Sequence, residues 1–406
     1  MKALCTAVLA TFLLGTVEIS AQSYSQTNRS FVQSPMALGM GDAAVAFPSR
    51  ATVFFYNPGH LAHIAPLRPR VTVLGIRGSF SENLLDQISF YKDTLDPAFD
   101  EGFENMDSDR VREIYDETLE IGRTRTLLGG DLLLPSVMFQ AGGLGIGAGV
   151  FAHSLVRYRF PDGGAGVPAV DLTGMADLSA IASAALDLGR YGVSGLSIGA
   201  TAKATQRSLT LKNKPLDAIS GDEDVYVYKG SSLGLDVGIL MDLDFIPIPG
   251  NLRFGAAVFD LVATDFAYEF DRNLTENAPD DQATIADEEA TARELYEIDS
   301  SYRVGLAYTV PTFLGFFRET GVAVDYVGYS NPAVDQVMMT GLRIGVQANA
   351  RIISLRAGLN SGYTTLGAGL SLGPVKVDYA YFAQEDGRLP GQLPSWTHTA
   401  QLALGF

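Results

Sequence analysis

The sequence predicts an all-β protein, a transmembrane antiparallel β-barrel of about fourteen strands carrying helical insertions in its outer loops. Three observations predict it. Apolar residues recur with period two in segment after segment from residue 70 onward, long and short connections alternate along the chain, and the last alternating segment ends in an aromatic residue, Phe406.

Composition narrows the field in the same direction. The chain has 406 residues, 47% hydrophobic and 18% charged, with a formal net charge of −17 and 43 glycines. So apolar a chain is no disordered polymer, its period is not that of a coiled coil, and its acidic balance repels phosphate, which excludes nucleic acid as a partner.

Residues 1–21 read as a secretory signal peptide: Lys2, an apolar run from Ala3 to Val17, and Ile19-Ser20-Ala21 ahead of Gln22. The only cysteine, Cys5, falls inside it. The mature chain is therefore expected to hold no disulfide, thiolate metal site or cysteine nucleophile. One mature window, Leu132 to Ala152, lacks charge for long enough to suggest a membrane helix, but it contains Pro135 and a Gly142-Gly143 pair. Glycine pairs favour a turn, so the window reads as two strands of a hairpin.

Residues 70–406 form the predicted barrel. Leu196, Ile198, Ala200 and Ala202 alternate with Ser197, Gly199, Thr201 and Lys203; Leu342, Ile344 and Val346 alternate with Gly341, Arg343, Gly345 and Gln347. Each strand thus has one large apolar face and one small or polar face. A soluble sandwich also alternates. Here, however, the polar face is rich in glycine with isolated charges, and the apolar face ends repeatedly in Tyr or Phe, as a girdle at a lipid interface would. By this parity the lumen is lined by Lys203, Asp236, Arg253, Arg303, Arg343 and Arg356.

Long connections (Ser81 to Thr126, Val156 to Asp171, Lys212 to Val225, Thr264 to Ser301) follow odd strands, and short ones such as Gly142-Gly143 and Gly373-Pro374 follow even strands. Outer-membrane barrels have short periplasmic turns and long outer loops, so both termini are expected in the periplasm of a Gram-negative-type cell. Charge follows the same division. Ser81 to Thr126 has a balance of −8 and Thr264 to Ser301 of −10, leaving +1 for the remainder. Both loops show helical spacing, with Val111, Ile114, Tyr115 and Thr118 on one face of the first and Ala286, Ala290, Arg293 and Leu295 on one face of the second. The bunched carboxylates read first as a solvated outer surface and second as hard oxygen ligands for a divalent cation; no segment follows the calcium-loop pattern, no defined metal site is assigned, and no cofactor is expected.

The last strand, Trp396 to Phe406, resembles the terminal assembly signal of bacterial outer-membrane barrels, with Phe406 as the residue presented to the barrel-assembly machinery. Residues 22–69 do not alternate. They carry Gly39-Met40-Gly41 and, further on, Tyr56-Asn57-Pro58-Gly59-His60-Leu61. Here the sequence resembles the superfamily of outer-membrane barrels that includes the long-chain fatty-acid transporters (FadL-like) and the type IX secretion barrels (PorV and PorQ-like). Those carry a Gly-Met-Gly element followed by Tyr-Asn-Pro-Ala-Gly-Leu, from which this chain departs by placing Gly59 directly after Pro58. The resemblance implies that residues 22–69 fold into the lumen as a plug, with Gly39, Gly41, Tyr56, Asn57, Pro58 and Gly59 as its shaping or gating residues. It implies two functions: a channel for hydrophobic or amphiphilic small molecules, and a barrel that receives secreted proteins. Phe151, Phe160 and Phe259 would supply a greasy path for the first; the acidic helical loops would serve the second.

Other chemistry is thin. His60 and His63 are three apart without a third ligand, and His153-Ser154 fall on opposite faces of a strand, which separates a base from a nucleophile. No enzyme is expected. The expected surroundings are outer-membrane lipid, the assembly machinery and a hydrophobic ligand or a secreted protein.

Overall fold

The computed structural model describes residues 33–47, 53–63, 69–164, 166–218, 224–275, 281–313, 317–329, 338–385 and 391–405. The signal peptide assigned to residues 1–21 and the terminal Phe406 lie outside them.

Fifteen strands form one antiparallel sheet: β1 (Arg70–Ser81), β2 (Thr126–Ala141), β3 (Leu144–Arg159), β4 (Ala169–Asp187), β5 (Leu196–Pro215), β6 (Tyr226–Asp242), β7 (Asn251–Ala263), β8 (Glu269–Asn273), β9 (Ser301–Phe313), β10 (Phe317–Tyr329), β11 (Leu342–Ala350), β12 (Ile353–Asn360), β13 (Tyr363–Leu372), β14 (Val375–Glu385) and β15 (Pro394–Gly405). Each pairs with the next in sequence, except that β7 pairs with β9 and the short β8 pairs only with the loop end of β6. Pairing of β1 with β15 closes the sheet, Gly78 facing Ala400 and Phe80 facing His398, so the molecule is a fourteen-strand barrel with β8 added at one rim. Among the described residues, closure leaves each of the fourteen wall strands paired on both sides, which is what a sheet in hydrocarbon requires, and only the rim strand β8 has a free edge. No helix among the described residues is long and apolar enough to cross a membrane.

Alternation places the side chains as period two dictates. Ile76, Leu128, Ile146, Leu178, Ile198 and Leu402 are exposed on the outside, whereas Arg77, Asp131, His153, Asp177, Arg207 and Thr399 are buried inside. At the closing seam the outer face ends in an aromatic patch. Tyr381 stacks on Trp396 with centroids 5.0 Å apart, and His398 lies 5.2 Å from Phe80 and 4.8 Å from Tyr381.

The barrel wall is uneven in height. β4 and β5 run 19 and 20 residues, β11 and β12 only 9 and 8. A membrane strand needs about 9–11, so the tall strands rise beyond the apolar band. There the polarity of the two faces inverts: on β5 the inward Leu209 and Leu211 are buried while the outward neighbours are Gln206, Ser208 and Thr210. The inversion corrects the expected loops. Val156 to Asp171 shrinks to residues 160–168 and Lys212 to Val225 to residues 216–225, because the strands continue past the apolar band with the polarity of their faces reversed. On the long-loop side, the connection between β12 and β13 is only Ser361-Gly362, with φ of 53° and 90°.

Both acidic loops are helical. Ser108–Ile121 buries Ile114 and Thr118, as the spacing predicts, in a cluster with Phe90, Leu95, Ala98 and Leu216. Gln282–Leu295 buries Ile285 and Ala292, followed by Tyr296, whereas Ala286 and Ala290 are exposed. The expected face was therefore off by one position. The real stripe is fixed by what it covers, the apolar extension of the wall formed by Leu209, Tyr228, Phe266 and Tyr268.

Candidate functional site

The N-terminal segment lies inside the barrel, near the end carrying the short turns. Residues Pro35–Leu38, Val53–Tyr56 and Pro58–His63 form three short helical turns, and almost every described residue from 34 to 62 is buried. Glycine makes this possible. A Cβ on Gly367 of β13 would lie 2.8 Å from the Gly39 Cα, one on Gly255 of β7 2.5 Å from the Val45 oxygen, and one on Gly199 of β5 2.5 Å from the Pro58 carbonyl carbon. Gly145, Gly238, Gly345 and Gly358 meet the segment as closely. Without side chains on this wall, backbone packs on backbone. Gly41 adopts φ +66°, a left-handed conformation that L side chains rarely take, while its neighbours leave no room for one.

Polar bonds fix the segment at four places. Asn57 donates from Nδ2 to the Val45 oxygen (2.9 Å) and the Ile239 oxygen of β6 (2.8 Å), and its Oδ1 accepts from the Gly59 amide (2.9 Å). One side chain thus ties two parts of the segment to the wall, and Pro58 sets the direction in which the chain leaves. Asp42 accepts from the Tyr56 hydroxyl (2.5 Å) and from Arg303 (2.6 Å), whose guanidinium carbon lies 5.0 Å from the Tyr56 ring centroid. Asp325 of β10 accepts from the Ala44 and Val45 amides at 2.7 and 2.8 Å. Thr365 of β13 accepts from the Gly41 amide and donates to the Gly39 oxygen.

The six charges assigned to the lumen all stand on inward positions, and ion pairs hold five of them. Lys203 bridges Asp236 (2.7 Å) and Asp260 (2.5 Å), Arg253 pairs with Asp242 (2.6 Å), Arg356 pairs with Asp378 (2.6 Å), and Arg303 holds the segment's own Asp42. Among the described residues, Arg343 donates to main-chain oxygens, those of Thr340 and Leu342. Sequence reasoning missed several partners: Asp131, which joins Arg77 and His153; Asp177, gripped in a bidentate pair by Arg207; and Asp42 and Asp325. Strand parity was the available signal for Asp131, Asp177 and Asp325, because each is a carboxylate at an inward position.

Phe151 and Phe259 do not line an open path. Phe151 meets Phe55 edge-on at 5.0 Å, and Phe259 is buried with Val45 and Phe47, so both are seats for the segment. Phe160 packs under the outer helices instead. His60 and His63 do not converge: His60 Nε2 lies 3.3 Å from the Val45 oxygen, and His63 Nε2 lies 3.1 Å from Ser197 Oγ. Burial pushes the His60 imidazole down to about 3, with Arg253 adding to the shift, so it is held neutral. Among the described residues no three His, Cys, Asp or Glu side chains are grouped as metal ligands. His153 faces the lumen while Ser154 faces outward, bonded to the Gly130 oxygen.

Above the segment, toward the long loops, lies a cavity of about 100 Å³ lined by Asp42, Arg77, His153, Arg303, Arg343 and Phe382 among others. A closed antiparallel barrel with an apolar outer band and a segment inside its lumen is the architecture of an outer-membrane type of barrel.

Solved structures of this architecture resemble it. The Ralstonia pickettii toluene transporter TbuX is 12% identical over 92% of this chain and 97% of its own, with a TM-score of 0.50. The CymD monoaromatic hydrocarbon channel is 14% identical over 91% and 96% (TM-score 0.49), and a Pseudomonas aeruginosa FadL homologue is 12% identical over 92% and 98% (TM-score 0.44). The likeness to TbuX is one of fold, and it is the FadL-like fold implied by Gly39-Met40-Gly41 and Tyr56-Asn57-Pro58. In sequence, residues 169–315, from β4 to β9, match the family described as F plasmid transfer operon, TraF, protein. No curated protein matches the chain.

Proposed function

We propose that this chain is an outer-membrane channel for hydrophobic or amphiphilic small molecules, closed on its periplasmic side by the N-terminal segment. The observation that carries the reading is the seating of the segment: residues 34–47 and 53–62 occupy the lumen through glycine contacts and a few polar bonds rather than as a strand of the wall. Such a segment can leave without unpairing the barrel. The fold likeness to TbuX, a toluene transporter, supports the same class. In this reading the short turns and both termini are periplasmic, the acidic helices face outward, and the protein performs no catalysis.

Planar-bilayer conductance of the intact protein and of a variant lacking residues 39–61 tests it. Near-zero conductance that rises to that of a small pore on deletion is expected; a deletion as silent as the parent overturns it. The acidic outer helices favour a second reading, a barrel that receives secreted proteins. Copurification in mild detergent separates the two, a bound lipid or fatty acid supporting transport and a stoichiometric secreted protein supporting the receptor.

A further inference from the structure

On the outer face of the barrel, which meets hydrocarbon, one strip of wall lacks the large side chains found elsewhere. The outward positions of β4 and β5 oppose each other as Ala180 with Ala204, Ala182 with Ala202 and Ala184 with Ala200. On β9 and β10 three successive outward pairs are instead Tyr308 with Val322, Leu306 with Val324 and Val304 with Tyr326. The flanks of the alanine strip are tall. Ile146 and Val150 stand beside it on β3 and Leu233 and Leu235 on β6, with Leu178 across one end and Ile198 across the other. The surface is therefore a trough. Its short-turn end opens into a cavity of about 590 Å³ lined by apolar residues alone, Ala184 and Ala200 among them, with Leu144, Leu186, Ile239 and Val258 around these two.

A positive charge stands at the mouth of this cavity. Leu144 and Leu186 are cross-strand partners, and Leu144 follows directly on the Gly142-Gly143 turn. Arg190 lies over that turn: a Cβ on Gly143 would be 3.0 Å from the Arg190 Cδ, and one on Gly142 would be 3.6 Å from its Nη1. Both glycines have positive φ, 62° and 82°, so the turn carries no side chain to displace the arginine stem. The carboxylate nearest in sequence, Asp187, accepts from the Gly189 amide at 2.8 Å. Arg190 is exposed and forms no ion pair among the described residues. A guanidinium at the edge of the apolar band, beside a hydrocarbon-lined trough, is complementary to a phosphate carried on an alkyl chain.

We propose that this groove seats a glycerophospholipid of the leaflet on the short-turn side, one acyl chain lying along the β4–β5 alanines and the phosphate meeting Arg190. The site is outside the tube, so it stands whether or not the lumen conducts. The lipid covers a thin part of the wall, whose inner side meets Pro58 at Gly199 and Asn57 at Gly238.

The test is native mass spectrometry of the full-length protein in a non-ionic detergent, titrated with dioleoylphosphatidylglycerol and, separately, with dioleoylglycerol, which lacks the phosphate. One phosphatidylglycerol per chain should be retained, bound at least ten-fold more tightly than dioleoylglycerol. Ala184→Leu fills the cavity with a side chain as apolar as lipid and should weaken retention at least ten-fold. Ala357→Leu, the same change on the outward face of β12, should leave it unchanged. Arg190→Gln should bring phosphatidylglycerol down to the level of dioleoylglycerol. Unchanged gel mobility before and after boiling is the check on folding of each variant. Equal retention of the two lipids, an undiminished Ala184→Leu or Arg190→Gln variant, or a lipid-free dimer, which would make a second copy the occupant, overturns the proposal. If Ala184→Leu does not assemble, Arg190→Gln, a change at an exposed turn, decides.

Discussion

Two parts of the lumen wall are built from different materials. Where the segment sits the wall has given up its side chains: Gly145, Gly199, Gly255, Gly345, Gly358 and Gly367 receive it backbone to backbone, and Gly238 makes room for the Asn57 and Pro58 side chains. Toward the loop end the wall is made of long charged side chains, Arg77, Arg207, Arg303 and Arg343, held mostly by carboxylates. A glycine wall excludes water by contact and tolerates no added atom. A charged wall keeps its groups solvated by one another and leaves a cavity.

The sharpest way to break this comparison is to add a side chain to the glycine wall. Gly358→Leu should expel the segment, since even a Cβ there overlaps Met40 and Gly41 main-chain atoms. Single-channel recording should show an open pore, while Gly78→Leu, with no heavy atom within 4 Å of its Cβ, stays closed. Equal behaviour of the two would dissolve the distinction between the two parts of the wall.

Next in size is the buried ion pair that joins them. Arg303→Met leaves Asp42 without its counter-charge and should cost about 3–5 kcal/mol, read as a lower temperature of conversion to the unfolded band on gels. Asp42→Asn combined with Arg303→Met should recover much of that loss, because no lone charge is left behind. A double variant no better than the single would mean that the Tyr56 contact, not charge, carries the effect.

Asn57→Ala removes three hydrogen bonds at the segment's turn and should destabilise its seating by about 1–3 kcal/mol. Faster uptake of a hydrophobic probe would show that the turn controls passage; uptake equal to the parent, with the segment still seated, would make it purely structural.

The smallest effect lies outside the tube. Asp281 caps the helix Gln282–Leu295, accepting from the Thr284 hydroxyl (2.5 Å) and the Ala283 amide (3.1 Å), and the first of these bonds chiefly holds its carboxyl below the usual value. A depressed carboxyl favours the folded state while ionised, so this contribution is complete above the ordinary value of 3.8 and fades as pH falls through the lowered one. Protection of the amides at the helix start against hydrogen exchange, taken relative to the free-peptide rate at each pH, should fall in acid for the parent but change less for Asp281→Ala.

Much of this could be read from the sequence. Period two, loop parity and the acidic loops are local signals, so the fourteen strands, the inward charges such as Lys203 and Arg356, and both loop helices were legible. What a residue touches across the lumen was not. The glycines read as small lumen-facing residues, but their reason is a segment more than a hundred residues away for most of them, and the seats Phe151 and Phe259 looked like a path because their occupant was not in view. The polarity inversion on β5 misled for a physical reason as well: above the apolar band, water and the loop helices exchange sides, and a rule calibrated on lipid outside fails there.

Closure also orders events in time. The β1–β15 seam and the Gly41 to Thr365 bond both join the beginning of the chain to its end, the latter across 324 residues. The seam cannot form until the final strand is in place, nor the bond until β13 is, and contacts so distant in sequence are slow to find. The segment is synthesised first yet seated against strands made last, so its lodging in the tube belongs with barrel closure at the end of folding. A chain halted before β15 would hold an open sheet and an unhoused N-terminus together.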